Sequence, residues 1–150
     1  MSRIDIIVLG SDHAGYTLKQ DIKKIVDSLG YCYEDIGDYK PASDDDYPDF
    51  VRKVCEHVLS RKNAVGILIC GSGTGVCIAA NRYRGIRAGV GYDRYSAKMM
   101  RHDENANVLC LRSRRFSRED TIKILHTWLR EPFTGEARHK RRIRTLDTLG

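Results

Sequence analysis

Residues 64–75 read AVGILICGSGTG, an unbroken run of apolar and small residues that ends in a turn of alternating glycines. A strand with one wet face alternates polar and apolar residues. A strand that is apolar throughout fits the middle of a parallel sheet, covered on both faces. Ile78, Ala79 and Ala80 then open a helix-like segment, so this stretch is one strand–turn–helix unit. The same unit recurs along the chain. A strand-like run from Ile4 to Gly10 precedes Leu18, Ile22, Ile25, Val26 and Leu29 at helical spacing, closed by Gly30 as a C-cap candidate. Another runs from Tyr31 to Ile36, followed by the polar loop 37–47 and a helix opening at Pro48, with Val51, Val54, Cys55, Val58 and Leu59 on one face. After the glycine turn come a strand from Ile86 to Gly91, a helix over Ser96 to Arg101 and a strand from Asn107 to Leu111. A helix from Ser117 to Arg130 carries Ile122, Leu125, Trp128 and Leu129, and a basic helix follows Pro132 to Gly135. Alternation of this kind predicts an α/β fold in a single domain over 1–150, with five parallel strands layered between helices.

In such a sheet the ligand sits beyond the carboxyl ends of the strands, which names the loops to inspect. GSGTG offers backbone N–H groups at a helix start, a cradle for an anion. It lacks GxxxxGK[ST] and does not follow the first strand as a dinucleotide fingerprint does, so a plain tight turn is the competing reading. Cys70 ends the strand before it. A thiol at a helix start favours the thiolate, a base that removes a carbon-bound proton while amides stabilise the developing oxyanion. The alternative is one more small buried residue, like Cys32, Cys55, Cys77 and Cys110. Asp12 and His13 follow the first strand and either bind substrate or form a capping acid beside a surface histidine. His102, in MRHDENANVL near the entrance to strand five, is set apart by a nearby loop that faces the site.

The remaining bulk properties narrow the function. The apolar runs fall far short of the ~20 residues of a membrane span, and Asp5 interrupts the first of them, so no membrane association and no leader peptide are expected. Five cysteines, an odd number without a CxxC pair, fit free thiols in the cytoplasm. The net charge of +6 is concentrated at the end, where Arg138, Lys140, Arg141, Arg142 and Arg144 face only Asp147. Arg138 and Arg142 stand one helical turn apart with His139 beside them, as a forked phosphate clamp would. A solvated face or a nucleic-acid patch gives the same count, although the cluster has no interleaved aromatic residues.

Taken in order, GSDHAG, ILICGSGTGVCIAANR, GIRAGVGYD with YSA, NANVLCLRSR and ARHKRRI resemble the ribose-5-phosphate isomerase B family, which includes galactose-6-phosphate isomerase subunits. The resemblance spans nearly the whole chain and implies a three-layer Rossmann-like fold with a C-terminal basic helix. It implies an aldose-ketose isomerase of ribose 5-phosphate and ribulose 5-phosphate, in the non-oxidative pentose phosphate pathway, with no cofactor and no metal. Isomerisation of a six-carbon sugar phosphate is the alternative within enzymes, and a nucleotide- or nucleic-acid-binding module the alternative outside them. By the same resemblance Cys70 is the base, assisted by Ser72, and Gly71, Ser72, Gly73, Thr74 and Gly75 hold the enediolate. Asp12, His13 and Tyr47 contact the sugar, and Arg114, Arg138 and Arg142, with His139 adjacent, hold the phosphate. The family's site lies between subunits, so a homodimer or tetramer is expected, with no nucleic-acid partner. One departure stands out. Counted back from Asn107, the position of the family's ring-opening histidine holds Asp103 and the next holds Glu104, while His102 comes one residue early. Either the backbone shifts to bring His102 into place, or Asp103 takes over ring opening, or the ring opens largely in solution; His102 is the favoured assignment, with Asp103 at the substrate.

Overall fold

The computed structural model describes residues 3–37, 39 and 44–150. Residues 38 and 40–43 of the polar loop singled out above therefore lie outside the described residues. Five strands, β1 (Ile6–Ser11), β2 (Tyr33–Asp35), β3 (Ala64–Cys70), β4 (Ala88–Val90) and β5 (Val108–Arg112), form one sheet in the order β2-β1-β3-β5-β4. Every pairing is parallel. The helices are α1 (Tyr16–Ser28), α2 (Tyr47–Leu59), α3 (Thr74–Ala80), α4 (Arg94–His102), α5 (Arg118–Arg130) and α6 (Ala137–Leu146). The strands are one or two residues shorter at several ends than the apolar runs suggested, because pairing stops where the neighbouring strand does.

All seven residues of β3 are buried, as its continuous apolar run requires. One side of the sheet packs Ile7, Leu9, Ile67, Ile69 and Leu111 against Ile22 and Val26 of α1, Ala97 of α4, and Ile124, Leu125 and Trp128 of α5. The other side packs Val8, Leu68, Cys70 and Cys110 against Val51, Val54, Cys55 and Val58 of α2 and Val76 and Ala80 of α3. Helix starts are chemically marked. Asp93 and Ser96 form a reciprocal capping box on α4, and Ser117 accepts from the Asp120 amide on α5. α6 is the exception to the layering. Its single buried residue is His139, and the rest of it is mostly cationic, with Ile143 half-buried and Leu146 exposed.

The strand order places a switch point between β1 and β3. The chain leaves β1 through α1 on one face and leaves β3 through α3 on the other, so the loops after these strands diverge around a crevice.

Candidate active site

The crevice is built by backbone fit first. Asp12 N donates to Ile69 O, laying the loop after β1 against the end of β3. Gly15 sits so close that a Cβ there would come 2.6 Å from Ile69 O, which leaves room for no other residue. The Asp12 carboxylate accepts from Gly15 N at 3.1 Å and closes the turn. The capping role considered for Asp12 is therefore real, and its side chain still borders the crevice. Burial raises its pKa above the ordinary aspartate value, partly offset by the Gly15 amide.

Gly73 holds the left-handed backbone at φ 75°, where L side chains are strained. That bend turns its amide back onto Cys70, and Gly73 N donates to Cys70 Sγ at 3.1 Å. Thr74 N donates to Ser72 Oγ at 3.2 Å, so the Ser72 hydroxyl stays beside the thiol loop. Cys70 is 5% exposed at the crevice floor. Two longer side chains close over the turn: the Arg114 guanidinium lies against Gly71, and the Tyr47 ring and hydroxyl against Gly75. Of the other cysteines, Cys55 and Cys110 are buried, whereas Cys32 is exposed and Cys77 half-buried, so the buried-thiol reading does not hold for all five.

His13 sits on the same rim. Its Nδ1 is 2.6 Å from Oδ1 of Asp45, and this hydrogen bond raises the imidazole pKa above its ordinary value. Asp45 was not singled out from the sequence, where it is one acid in the run Asp44–Asp46. Its Oδ2 is buried with no partner among the described residues. Asp12, His13 and Asp45 are also the one trio of described residues whose donor atoms, within 4.8 Å of one another, could ligate a cation. With His13 Nδ1 bonded to Asp45, the trio is organised as a hydrogen-bonded dyad beside a capping acid.

The remaining expected site residues gather elsewhere. α4 starts at the carboxyl end of the sheet and returns to the amino end, so His102 and Asp103 finish on the edge opposite Cys70. His102 is indeed at the entrance to strand five, but not beside the thiol. Its Nδ1 lies 2.8 Å from Asp103 Oδ1, and His139 Nε2 approaches the same oxygen at 3.7 Å. Arg138 Nε donates to His139 Nε2 at 3.2 Å and pairs with Glu136 at 3.0 Å. The His102 hydrogen bond, reinforced by His139, lowers the Asp103 pKa, so Asp103 is a fixed carboxylate between two imidazoles. Arg142 follows one turn along α6 and forms no ion pair among the described residues.

A recessed thiol under an amide, with hydroxyl, imidazole and guanidinium groups nearby on a doubly wound parallel sheet, is an arrangement that can serve acid–base chemistry on a small anion. Comparison with known proteins narrows the class. Residues 7–146 match the model of the ribose/galactose isomerase family, and the chain belongs to that family. It is 41% identical over 140 residues to the probable ribose-5-phosphate isomerase B of Mycoplasma genitalium, covering 91% of this chain and 90% of that one. Against ribose-5-phosphate isomerase B of Escherichia coli the identity is 35%, covering 95% of each chain. The ribose 5-phosphate isomerase structure from Thermotoga maritima superposes with TM-score 0.92 at 42% identity, covering 98% of this chain and 100% of that one. The Mycoplasma genitalium enzyme with bound ribulose-5-phosphate superposes with TM-score 0.89 at 40% identity, over 95% and 93% of the two chains.

Proposed function

We propose that the chain interconverts D-ribose 5-phosphate and D-ribulose 5-phosphate, with Cys70 as the base. The observation that carries this reading is the Gly73 amide held 3.1 Å from a recessed Cys70 sulfur at the switch point of the sheet. An N–H aimed at sulfur stabilises negative charge there, and the crevice keeps bulk water from the thiolate. In the open-chain aldose, Cys70 takes the proton from C2 as the electron pair moves into the C1–C2 bond and the carbonyl oxygen becomes an enediolate. Return of the proton to C1, with a proton shifted from O2 to O1, leaves the ketose. The step is redox-neutral and needs no co-reactant. The amides of Gly71–Gly75 are the donors available to the enediolate oxygen, with Ser72 beside the thiol and Tyr47, Asp12 and His13 around the sugar.

Ring opening belongs to His102, oriented by Asp103. The lowered pKa of Asp103 argues for this division of labour, because a carboxylate held ionised by two imidazoles positions a proton donor better than it serves as one. Arg138 and Arg142, with Arg114, supply the phosphate contacts. His102, Arg138 and Arg142 lie at the amino end of the sheet and Cys70 at the carboxyl end, so one copy cannot bring them to one sugar. The functional unit is therefore a dimer, with the amino-end cluster of each copy completing the crevice of the other. The apolar Ile78, 62% exposed on α3 one helix turn from the glycine loop, supports a contact surface at that place. The reaction is assigned to the cytoplasm, in keeping with five free cysteines.

The test is isomerisation of ribose 5-phosphate by the purified chain without added metal, with allose 6-phosphate as the control. Turnover of the five-carbon sugar supports the reading. Turnover of the six-carbon sugar alone would reassign the substrate, and none with either would remove the activity.

A further inference from the structure

Below the sheet, four loops converge on a cavity of about 160 Å³ that none of the preceding chemistry uses. Arg3 arrives before β1, Asn63 before β3, Arg87 before β4, and Arg101, Asn105 and Asn107 before β5. No carboxylate lines it. Asp5 is the nearest acid on the rim, where it pairs with Arg3 at 3.3 Å and accepts from Asn63 at 2.9 Å. At about 30 Å³ per water, the cavity has room for several waters and hence for a phosphate-sized oxyanion.

Arg101 is the unusual member. It is only 4% exposed, donates from Nη1 to Ala106 O at 2.7 Å, and stacks on Trp128 at 5.1 Å. Its Nε is buried with no hydrogen-bond partner among the described residues. Guanidinium groups do not deprotonate in proteins, so this charge stays, and burying it unpaired is costly. Arg87 makes the imbalance worse. Among the described residues its guanidinium bonds only to the carbonyls of Glu104 and Asn105, and its charge repels that of Arg101. Arg87 also feels the carboxylates of Glu104 and Asp147, but Arg101 has no acidic neighbour to balance it.

We propose that this cavity is a second anion site, which takes a tetrahedral oxyanion, inorganic phosphate or the phosphoryl group of a small ester, on the forks of Arg101 and Arg87 with Arg3 at the mouth. A phosphate at the open edge of these forks neutralises both guanidinium groups at once. Arg101 and Asn105 flank His102 and Asp103, so occupancy stiffens the turn that carries them. The site is separate from the sugar-phosphate crevice and stands or falls independently of the isomerase reading.

The experiment titrates the full-length chain with inorganic phosphate at constant ionic strength, following the Arg101 Nε and Asn105 side-chain resonances. Sodium chloride and glycerol phosphate titrations run in parallel. The expected result is a saturable shift at both residues that chloride does not reproduce. It persists in Arg142→Ala, where the α6 clamp is removed, and weakens about 10-fold or more in Arg101→Met, which keeps the packing on Trp128. If Arg101→Met fails to fold, the exposed Arg3→Ala must still weaken binding measurably. An equal response to glycerol phosphate assigns an ester as ligand, and a response to phosphate alone assigns the free ion; either upholds the site. No saturation into tens of millimolar, a response matched by chloride, or one lost in Arg142→Ala would overturn it.

Discussion

The two polar clusters at opposite ends of the sheet are made by different means. Around Cys70, the turns are fixed by their own backbone, Gly73 bonding the thiol and Gly15 closing on Asp12, while Arg114 and Tyr47 reach over Gly71 and Gly75 from other elements. Around Asp103, the groups come from elements more than 30 residues apart, α4 and α6, and meet mainly through side chains, with one backbone tie where Thr134 N donates to His102 O. The first arrangement is pre-organised and recessed, suited to chemistry on carbon. The second is cationic, ends on a helix with one buried residue, and suits capture of a charged group. Catalysis needs rigid geometry, whereas charge attraction tolerates distance and motion.

The sharpest break in this comparison is Cys70→Ala. It should lower kcat by roughly 10²–10⁴-fold with KM little changed; a kcat within a few fold of wild type would move the base elsewhere. Next is Arg142→Ala, expected to cost about 10- to 150-fold in kcat/KM, mainly through KM, as loss of a charge-assisted contact worth ~1.5–3 kcal/mol implies. Mixing these two variants and letting subunits exchange should restore activity that neither has alone. Failure to restore it would mean that the clusters do not meet across copies. Gly15→Ala comes third. The added methyl meets Ile69 O, and a loss of about 1–3 kcal/mol in unfolding free energy is expected; an unchanged Tm would show that the loop has slack.

The smallest effect is expected from Asp45→Asn. Asp45 holds the His13 proton, so removing its charge should let the imidazole titrate nearer its ordinary value, read by NMR of the ring. The sign of the stability effect follows. With a raised folded pKa, the pair stabilises the fold below the unfolded histidine value, and that contribution fades as pH rises through the folded one. In Asp45→Asn the fading should vanish. A His13 titration unaltered by the change would assign its shift to Asp12 instead.

The carboxyl-end cluster was legible because local pattern produces it: an apolar strand, a glycine turn and a short helix fix where Cys70 stands. The amino-end cluster was legible in membership but not in place. His102 ends a helix that itself follows a strand, and that parity puts it at the entrance to strand five, at the far edge from Cys70. The strand order was not legible. Insertion of β5 between β3 and β4 depends on which sheet edge accepts a three-residue strand, and β4 is too short for its pattern to say. Asp45 was hidden for a different reason. In a run of acids every member looks solvated, and only the fold shows which carboxylate turns inward.

Trp128 is the chain's single tryptophan, and it is fully buried with its indole against Arg101. Its emission is therefore a native optical probe of the sheet's amino edge, far from the Cys70 thiol at the other end. A quenching or wavelength change on adding a sugar phosphate that is unaltered in Arg3→Ala would report, without any label, that events in one crevice are felt across the thickness of the molecule.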